Sequence, residues 1–254
     1  MLLSLLSLAA ADADLMMAPC MGPMVSQTLP AAGARQVPVD ALPAFIWQED
    51  CGEAGRFVAQ LWQGEELVHE EVFDTPGGQE GVGLERLMLK ELLLPETDYL
   101  LRLSGPEGEQ DIEFSTGTEQ VVGAEPPELL DAQTQVSRYR WTFWAFTDLR
   151  VEQGEDPDAL SALLLLDGEG RAVAASTQSP VVLDHYVAGD IADLPEEICH
   201  SVVQVDGLGA ESEPIEHCWN PEDPGLFEGC SSAPAGASLL AGLCGMLLAL
   251  RRRR

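Results

Sequence analysis

The sequence predicts an all-β chain of two tandem β-sandwiches, followed by an apolar C-terminal transmembrane segment. Three observations carry this reading. Short runs with a hydrophobic period of two recur through the body between Gly, Pro and acidic turns, the pattern of strands with one face on a core and one in water. An acidic, proline-containing stretch, TEQVVGAEPPELL at 118–130, interrupts that pattern, which then restarts. Of the 254 residues, about 200 remain once both apolar ends are set aside, enough for two small sandwiches and no third core.

Charge narrows the function classes. The chain carries 43 acidic and 13 basic side chains, a net charge of -30, and four of the basic ones are the terminal run Arg251 to Arg254. The body is therefore more acidic than the total suggests. It has no basic stripe to gather phosphates, so no nucleic-acid partner is expected. The hydrophobic fraction of 46% is that of folded domains rather than of a disordered acidic chain.

Along the chain, residues 1–13 contain the run MLLSLLSLAA and then small and acidic residues. They predict a signal peptide cleaved near Ala11 or Ala13, although no Lys or Arg precedes the run. Residues 14–34 are expected to be a flexible extension, and 35–118 the first sandwich. RFVAQLW (56–62), ELVHEEVF (66–73), DYLLRL (98–103) and DIEFST (111–116) are its candidate strands. Tyr99, Leu101 and Leu103 share one face, as do Ile112, Phe114 and Thr116. GLERLMLKELL (83–93) fits helical spacing through Leu84, Leu87, Met88 and Glu91, which allows a short helix there.

After a linker at 119–128, the second sandwich is expected over 129–219. RYRWTFWAF (138–146) reads as a central strand, with Tyr139, Trp141, Phe143 and Ala145 on the core face and Arg138, Arg140, Thr142, Trp144 and Phe146 opposite. An alternative gives the second face a role: Trp144 beside Arg140 would form a glycan platform, the flat ring covering sugar carbons and the guanidinium donating hydrogen bonds. ALSALLLL (159–166), RAVAAST (171–177), VVLDHYV (181–187) and CHSVVQV (199–205) supply further strands. Residues 220–236 are expected to be a second linker. Residues 237–254 are expected to be a transmembrane helix and Arg tail, since the uncharged stretch 231–250 has a length that matches a bilayer.

Two resemblances attach to particular motifs. Leu94, Pro95, Thr97 and Tyr99, with the later Phe114, Ser115, Thr116 and Gly117, resemble the closing strands of fibronectin type III and bacterial Ig-like domains. The resemblance implies that Tyr99 forms a tyrosine corner, its ring packed inside and its hydroxyl on nearby backbone. VVQVDGLGAESEP (202–214) resembles the closing turn of bacterial Ig-like domains. At the other end Gly229, Cys230 and Ser231, a small-residue spacer, an apolar segment and the terminal arginines resemble the MYXO-CTERM sorting signal of myxobacteria. That resemblance implies processing and attachment at Cys230 by C-terminal sorting machinery, with display at the outer cell surface. The alternative is a permanent inner-membrane span with the body in the periplasm. The C-terminal segment is expected to contact the membrane, transiently before processing in the first reading and permanently in the second.

The remaining chemistry is sparse. Cys20, Cys51, Cys199 and Cys218 lie in the exported body and allow three pairings. Cys199 with Cys218, at the two ends of the last strand-turn segment, is the preferred disulfide, and Cys20 with Cys51 then follows. Cys199, His200, His217 and Cys218 could offer four zinc donors, but neighbouring residues of a strand point to opposite faces. Disulfide formation is therefore the stronger reading. His69 and His185 stand alone in strand-like sequence and read as structural. Glu152, Glu155, Asp156 and Asp158 could line a calcium loop, yet without EF-hand spacing a solvated turn is preferred. No Gly-x-Ser-x-Gly elbow or other catalytic spacing is present, and no cofactor is expected. The expected function is that of a noncatalytic cell-surface structural, adhesive or envelope-interaction protein, with an envelope protein or glycan as partner. The alternative is a secreted hydrolase or metal-dependent carbohydrate-binding protein whose site is formed by distant loops.

Overall fold

The computed structural model describes residues 22–222 except 50–51, 53, 76–80, 124 and 157–158. The strands are β1 (Met24–Leu29), β2 (Ala44–Glu49), β3 (Gly55–Gln63), β4 (Glu66–Thr75), β5 (Gly81–Arg86), β6 (Asp98–Gly105) and β7 (Gly108–Ser115), then β8 (Glu128–Tyr139), β9 (Thr142–Glu152), β10 (Ala162–Leu166), β11 (Ala172–Ser176), β12 (Val181–Asp190), β13 (Ile198–Val205) and β14 (Ile215–Trp219). The first sandwich stacks a sheet of order β1-β2-β5 on one of order β4-β3-β6-β7. The second stacks β12-β9-β8 on β11-β10-β13-β14. All paired strands are antiparallel.

The first core follows the alternation read from the sequence. Phe57, Ala59 and Leu61 of β3, Tyr99, Leu101 and Leu103 of β6, and Ile112 and Phe114 of β7 point inward against Phe45 and Trp47 of β2. Phe45 meets Phe57 and Phe73 edge to face. The second core holds Leu149, Val151, Leu163, Leu165, Leu183 and Val202, with Phe143, Ala145 and Ile198 forming its far end.

A third apolar layer joins the two sandwiches. Ala44 and Ile46, on the face of β2 opposite Phe45 and Trp47, pack with Leu29, Val82 and Leu84 against Ala162 and Ala175 of the second sandwich. Strand β2 is thus covered on both faces, which explains why AFIWQE lacks a period of two. Leu160 reaches back into the first core. Polar contacts reinforce the joint: Leu42 N–H donates to the Gly207 carbonyl at 2.9 Å, and Thr177 Oγ1 to Gln27 Oε1 at 2.8 Å. The connecting segment is held from both sides, through Val121 N–H to Asp40 Oδ1 at 2.7 Å and Glu125 N–H to the Glu155 carbonyl at 3.0 Å.

Three local expectations are overturned. Within the stretch 14–34, expected to be a flexible extension outside the first sandwich, Met24–Leu29 form β1, pair with β2 and bury Leu29. RYRWTFWAF is not one strand: β8 ends at Tyr139 and β9 starts at Thr142, so Arg140 and Trp141 form the tip of a hairpin. Arg140 adopts φ +58°, and Tyr139 and Trp141 are exposed rather than in the core. The segment 83–93 holds no helix. Its first residues belong to β5, where Gly83 lies directly beneath Trp47, and an added Cβ there would meet the indole at 2.5 Å. A glycine at a core-facing position hides the strand alternation. The residues that follow are irregular, with Leu87 and Leu93 buried and Met88, Leu92 and Leu94 exposed. They are tied down by Leu87 N–H to the Pro43 carbonyl and Leu93 N–H to the Val39 carbonyl, each at 2.8 Å.

Candidate functional site

The outer face of the β12-β9-β8 sheet is the most distinctive exposed surface. Along β9, Phe143, Ala145 and Thr147 face the core, so Thr142, Trp144, Phe146, Asp148 and Arg150 face out. Register extends this face sideways. Trp144 lies between Ser137 and Ala188, Phe146 between Gln135 and Tyr186, and Asp148 between Gln133 and Asp184. The Phe146 and Tyr186 rings lie 6.3 Å apart, and both side chains are exposed. Tyr139, paired with Thr142, continues the same face. The Arg140 guanidinium lies 5.2 Å from the Tyr139 ring centre, a cation–π contact, and Arg138 Nε donates to the Arg140 carbonyl at 3.0 Å. The sequence reading placed Arg140 beside Trp144 on one face of a single strand; instead Arg140 sits at the tip of the β8–β9 hairpin and engages Tyr139. The sequence reading missed Tyr186, whose proximity depends on cross-strand register.

Tyr99 is almost fully buried, stacked on Phe114 at 5.6 Å. Its hydroxyl accepts a hydrogen bond from Leu94 N–H at 2.8 Å, the geometry of a tyrosine corner.

Cys199 and Cys218 are register partners on β13 and β14 and are joined by a disulfide. Glu197 lies close to both sulfurs, but disulfide sulfurs carry no thiolate to offer a metal. Cys20, Cys51, Cys230, the leader and the tail lie outside the described residues. Among the described residues no helix is long and apolar enough to cross a membrane.

His200 and His217, next in register, point the other way, into the second sandwich. The four-donor zinc arrangement therefore does not form. Nor does His185 stand alone: from the facing sheet its Nδ1 lies 2.9 Å from His200 Nε2, one ring donating to the other. Burial, then the neighbouring His185 and His217, pull the pKa of His200 down to about 4. Burial likewise lowers that of His185. Beside them the Trp219 indole N–H donates to Thr147 Oγ1 at 3.0 Å. His69, by contrast, contacts Glu71 Oε2 at 3.2 Å in the first sandwich.

The acidic loop after β9 is used structurally. Asp156 Oδ2 accepts from Ser161 N–H at 2.7 Å, while Asp158 lies outside the described residues. A cleft of about 590 Å³ opens between the sandwiches, with Gln27, Gln48 and Glu49 on one wall and Asp184, His185 and Tyr186 on the other.

No protein-family model matches the chain, and no curated protein matches it. Solved structures are similar to it at low identity. The fibronectin(III)-like modules of Clostridium thermocellum CbhA are 12% identical over 78% of this chain and 94% of that one, with a TM-score of 0.29. The BSP domain of a biofilm-associated protein is 12% identical over 83% of this chain and 30% of its own, with a TM-score of 0.26. The Salmonella enterica SafA pilin in complex with the SafB chaperone gives 10%, 78%, 96% and 0.29 in the same order. The description of the fold rests on strand order and register.

Proposed function

We propose that the chain is a noncatalytic surface protein that binds neutral glycans through the outer face of the β12-β9-β8 sheet. The observation that carries this reading is the row of Trp144, Phe146 and Tyr186 across two adjacent strands, continued by Tyr139. An aromatic cluster with Tyr139, Phe146 and Tyr186 exposed and Trp144 half-buried, on a strongly charged protein, calls for a partner with flat apolar surface, and the C–H faces of sugar rings provide it. Gln133, Gln135, Asp148 and Asp184 lie beside the rings on the same face, where they can pair with sugar hydroxyls. The net charge of -30 disfavours polyanionic chains and so selects neutral glycans. A glycan array probed with the full chain tests this, together with an assay of reducing-end release from whatever it retains. Retention without release is expected. Release would favour the hydrolase alternative, and no retention would remove the glycan.

For location, the proposal is export, processing by sorting machinery at Cys230 and display at the outer surface. The order of Gly229, Cys230, Ser231, apolar segment and terminal arginines supports it. Mass spectrometry of the mature protein is expected to find Arg251 to Arg254 absent and Cys230 modified. An intact tail would contradict sorting and favour a permanent span.

A further inference from the structure

We propose that the His185–His200 contact is an acid-sensitive latch, holding strand β12 and its part of the aromatic face to the second sandwich at neutral pH and freeing them in mild acid. Its consequence for binding rests on the reading of that face as the glycan surface; its mechanism rests on the histidines alone. His185 Nδ1 and His200 Nε2 meet at 2.9 Å, and the two rings come from facing sheets, so their hydrogen bond ties one sheet to the other. Strand β12 lies at the edge of its sheet and, among the described residues, pairs with β9 alone. It is therefore easier to displace than the central β9. His185 points into the sandwich, while Asp184 and Tyr186 on either side of it point out. A shift of β12 thus carries Tyr186 away from Phe146, and the aromatic row is broken.

The latch needs one ring to donate and the other to accept, so it needs at least one neutral imidazole. A charged His200 carries a proton on both nitrogens. Its Nδ1 is buried and makes no hydrogen bond among the described residues, so that proton meets no acceptor. Charging both rings sets two donors face to face. The surrounding charges do not offset this cost. His217, the register partner of His200 on β14, is a third imidazole whose field opposes a charge on His200. Asp167, in the turn between β10 and β11, favours a charge on both rings. Its carboxylate is already held by the Arg171 guanidinium at 2.7 Å and by the N–H groups of Glu169 and Arg171, and Arg171 opposes a charge on His185. Asp184 faces out from β12, and the register partner of His185 on β9 is the uncharged Thr147. Burial, the largest cause, holds His200 at about 4 against an ordinary 6.5. The latch is therefore closed above pH 6.5 and weakens as the pH falls toward 4. Opening returns the ring to water, so the opening equilibrium rises about 30-fold by pH 5 through His200 alone.

Amide hydrogen exchange of the full chain at pH 7.5 and pH 5, with a ring ¹⁵N titration of the histidines, tests the latch. Carboxylates of ordinary pKa, about 4, stay largely ionised over that range. Protection factors along β12 should fall about 30-fold at pH 5, while those of β3 and β6 in the first sandwich hold. The double variant His185→Asn/His200→Gln keeps two side-chain amides able to bond and no titrating ring, and its β12 protection should be the same at both pH values. Unchanged β12 protection in the wild type, an equal loss throughout the chain, or the same acid response in the variant would overturn the latch. So would a wild-type His200 ring titrating near 6.5, which decides the matter even if the variant fails to fold. Neither measurement uses a glycan. On the glycan array, retention at pH 7.5 should be lost at pH 5 and return on neutralisation, and retention that persists while β12 opens would overturn the coupling to the face. No retention at pH 7.5 would remove the glycan reading and leave the latch to stand on hydrogen exchange.

Discussion

Tyr99 couples a core ring to a backbone amide five residues upstream. Its ring stacks on Phe114, and its hydroxyl is the acceptor for Leu94 N–H. Tyr99→Phe keeps the ring and strands the amide, so a loss of about 1 kcal/mol is expected in urea denaturation. An unchanged midpoint would mean that the amide finds another partner. Tyr99 was legible because its motif is local, four spaced residues in one stretch of chain. His185 was not, because its partner sits 15 residues away across the sandwich, and sequence spacing carries no information about which rings of facing sheets meet. Tyr186 escaped notice for the same reason.

At the scale of elements, the β8–β9 hairpin shows what periodicity misses. A run that alternates perfectly from Tyr139 to Ala145 still turns at Arg140, which takes a left-handed conformation that L-residues adopt at a cost of roughly 1–2 kcal/mol. Arg140→Gly is therefore expected to hold or raise the melting temperature, offset in part by the lost contact with Tyr139, and a marked drop would contradict the turn. Strand β8 was hidden because the residues it packs on the core, Ala132 and Val136, are small, Thr134 between them is exposed, and Gln133, Gln135 and Ser137 face out. Strand β5 was hidden by Gly83 beneath Trp47. The β13–β14 pair is closed by the Cys199–Cys218 bond over a separation of 19 residues. Replacing both cysteines with serine should cost about 3 kcal/mol through the freed chain, measurable as a lower midpoint that matches the reduced wild type.

For the whole molecule, the all-β class and the two sandwiches were legible from repeated short alternating runs and the break near residue 125. Their fusion was not, because burial of β2 on both faces reads only as a generic apolar run. Ile46 is almost fully buried in that shared layer. Ile46→Ala should cost about 2–5 kcal/mol and lower a single calorimetric transition, since both sandwiches lose packing at once. Two separated transitions in the wild type would show that the layer does not couple them. The shared layer packs the first sandwich against the β11-β10-β13-β14 sheet, which backs the sheet carrying the face proposed to bind neutral glycans. Retention on a neutral-glycan array, wild type beside the Trp144→Ala/Tyr186→Ala double variant, measures that function most directly. The wild type should be held by at least one neutral glycan and the variant weakened about tenfold or more, as expected for the loss of aromatic anchors. Equal retention of the two proteins, or retention of neither, would contradict the assignment of this face.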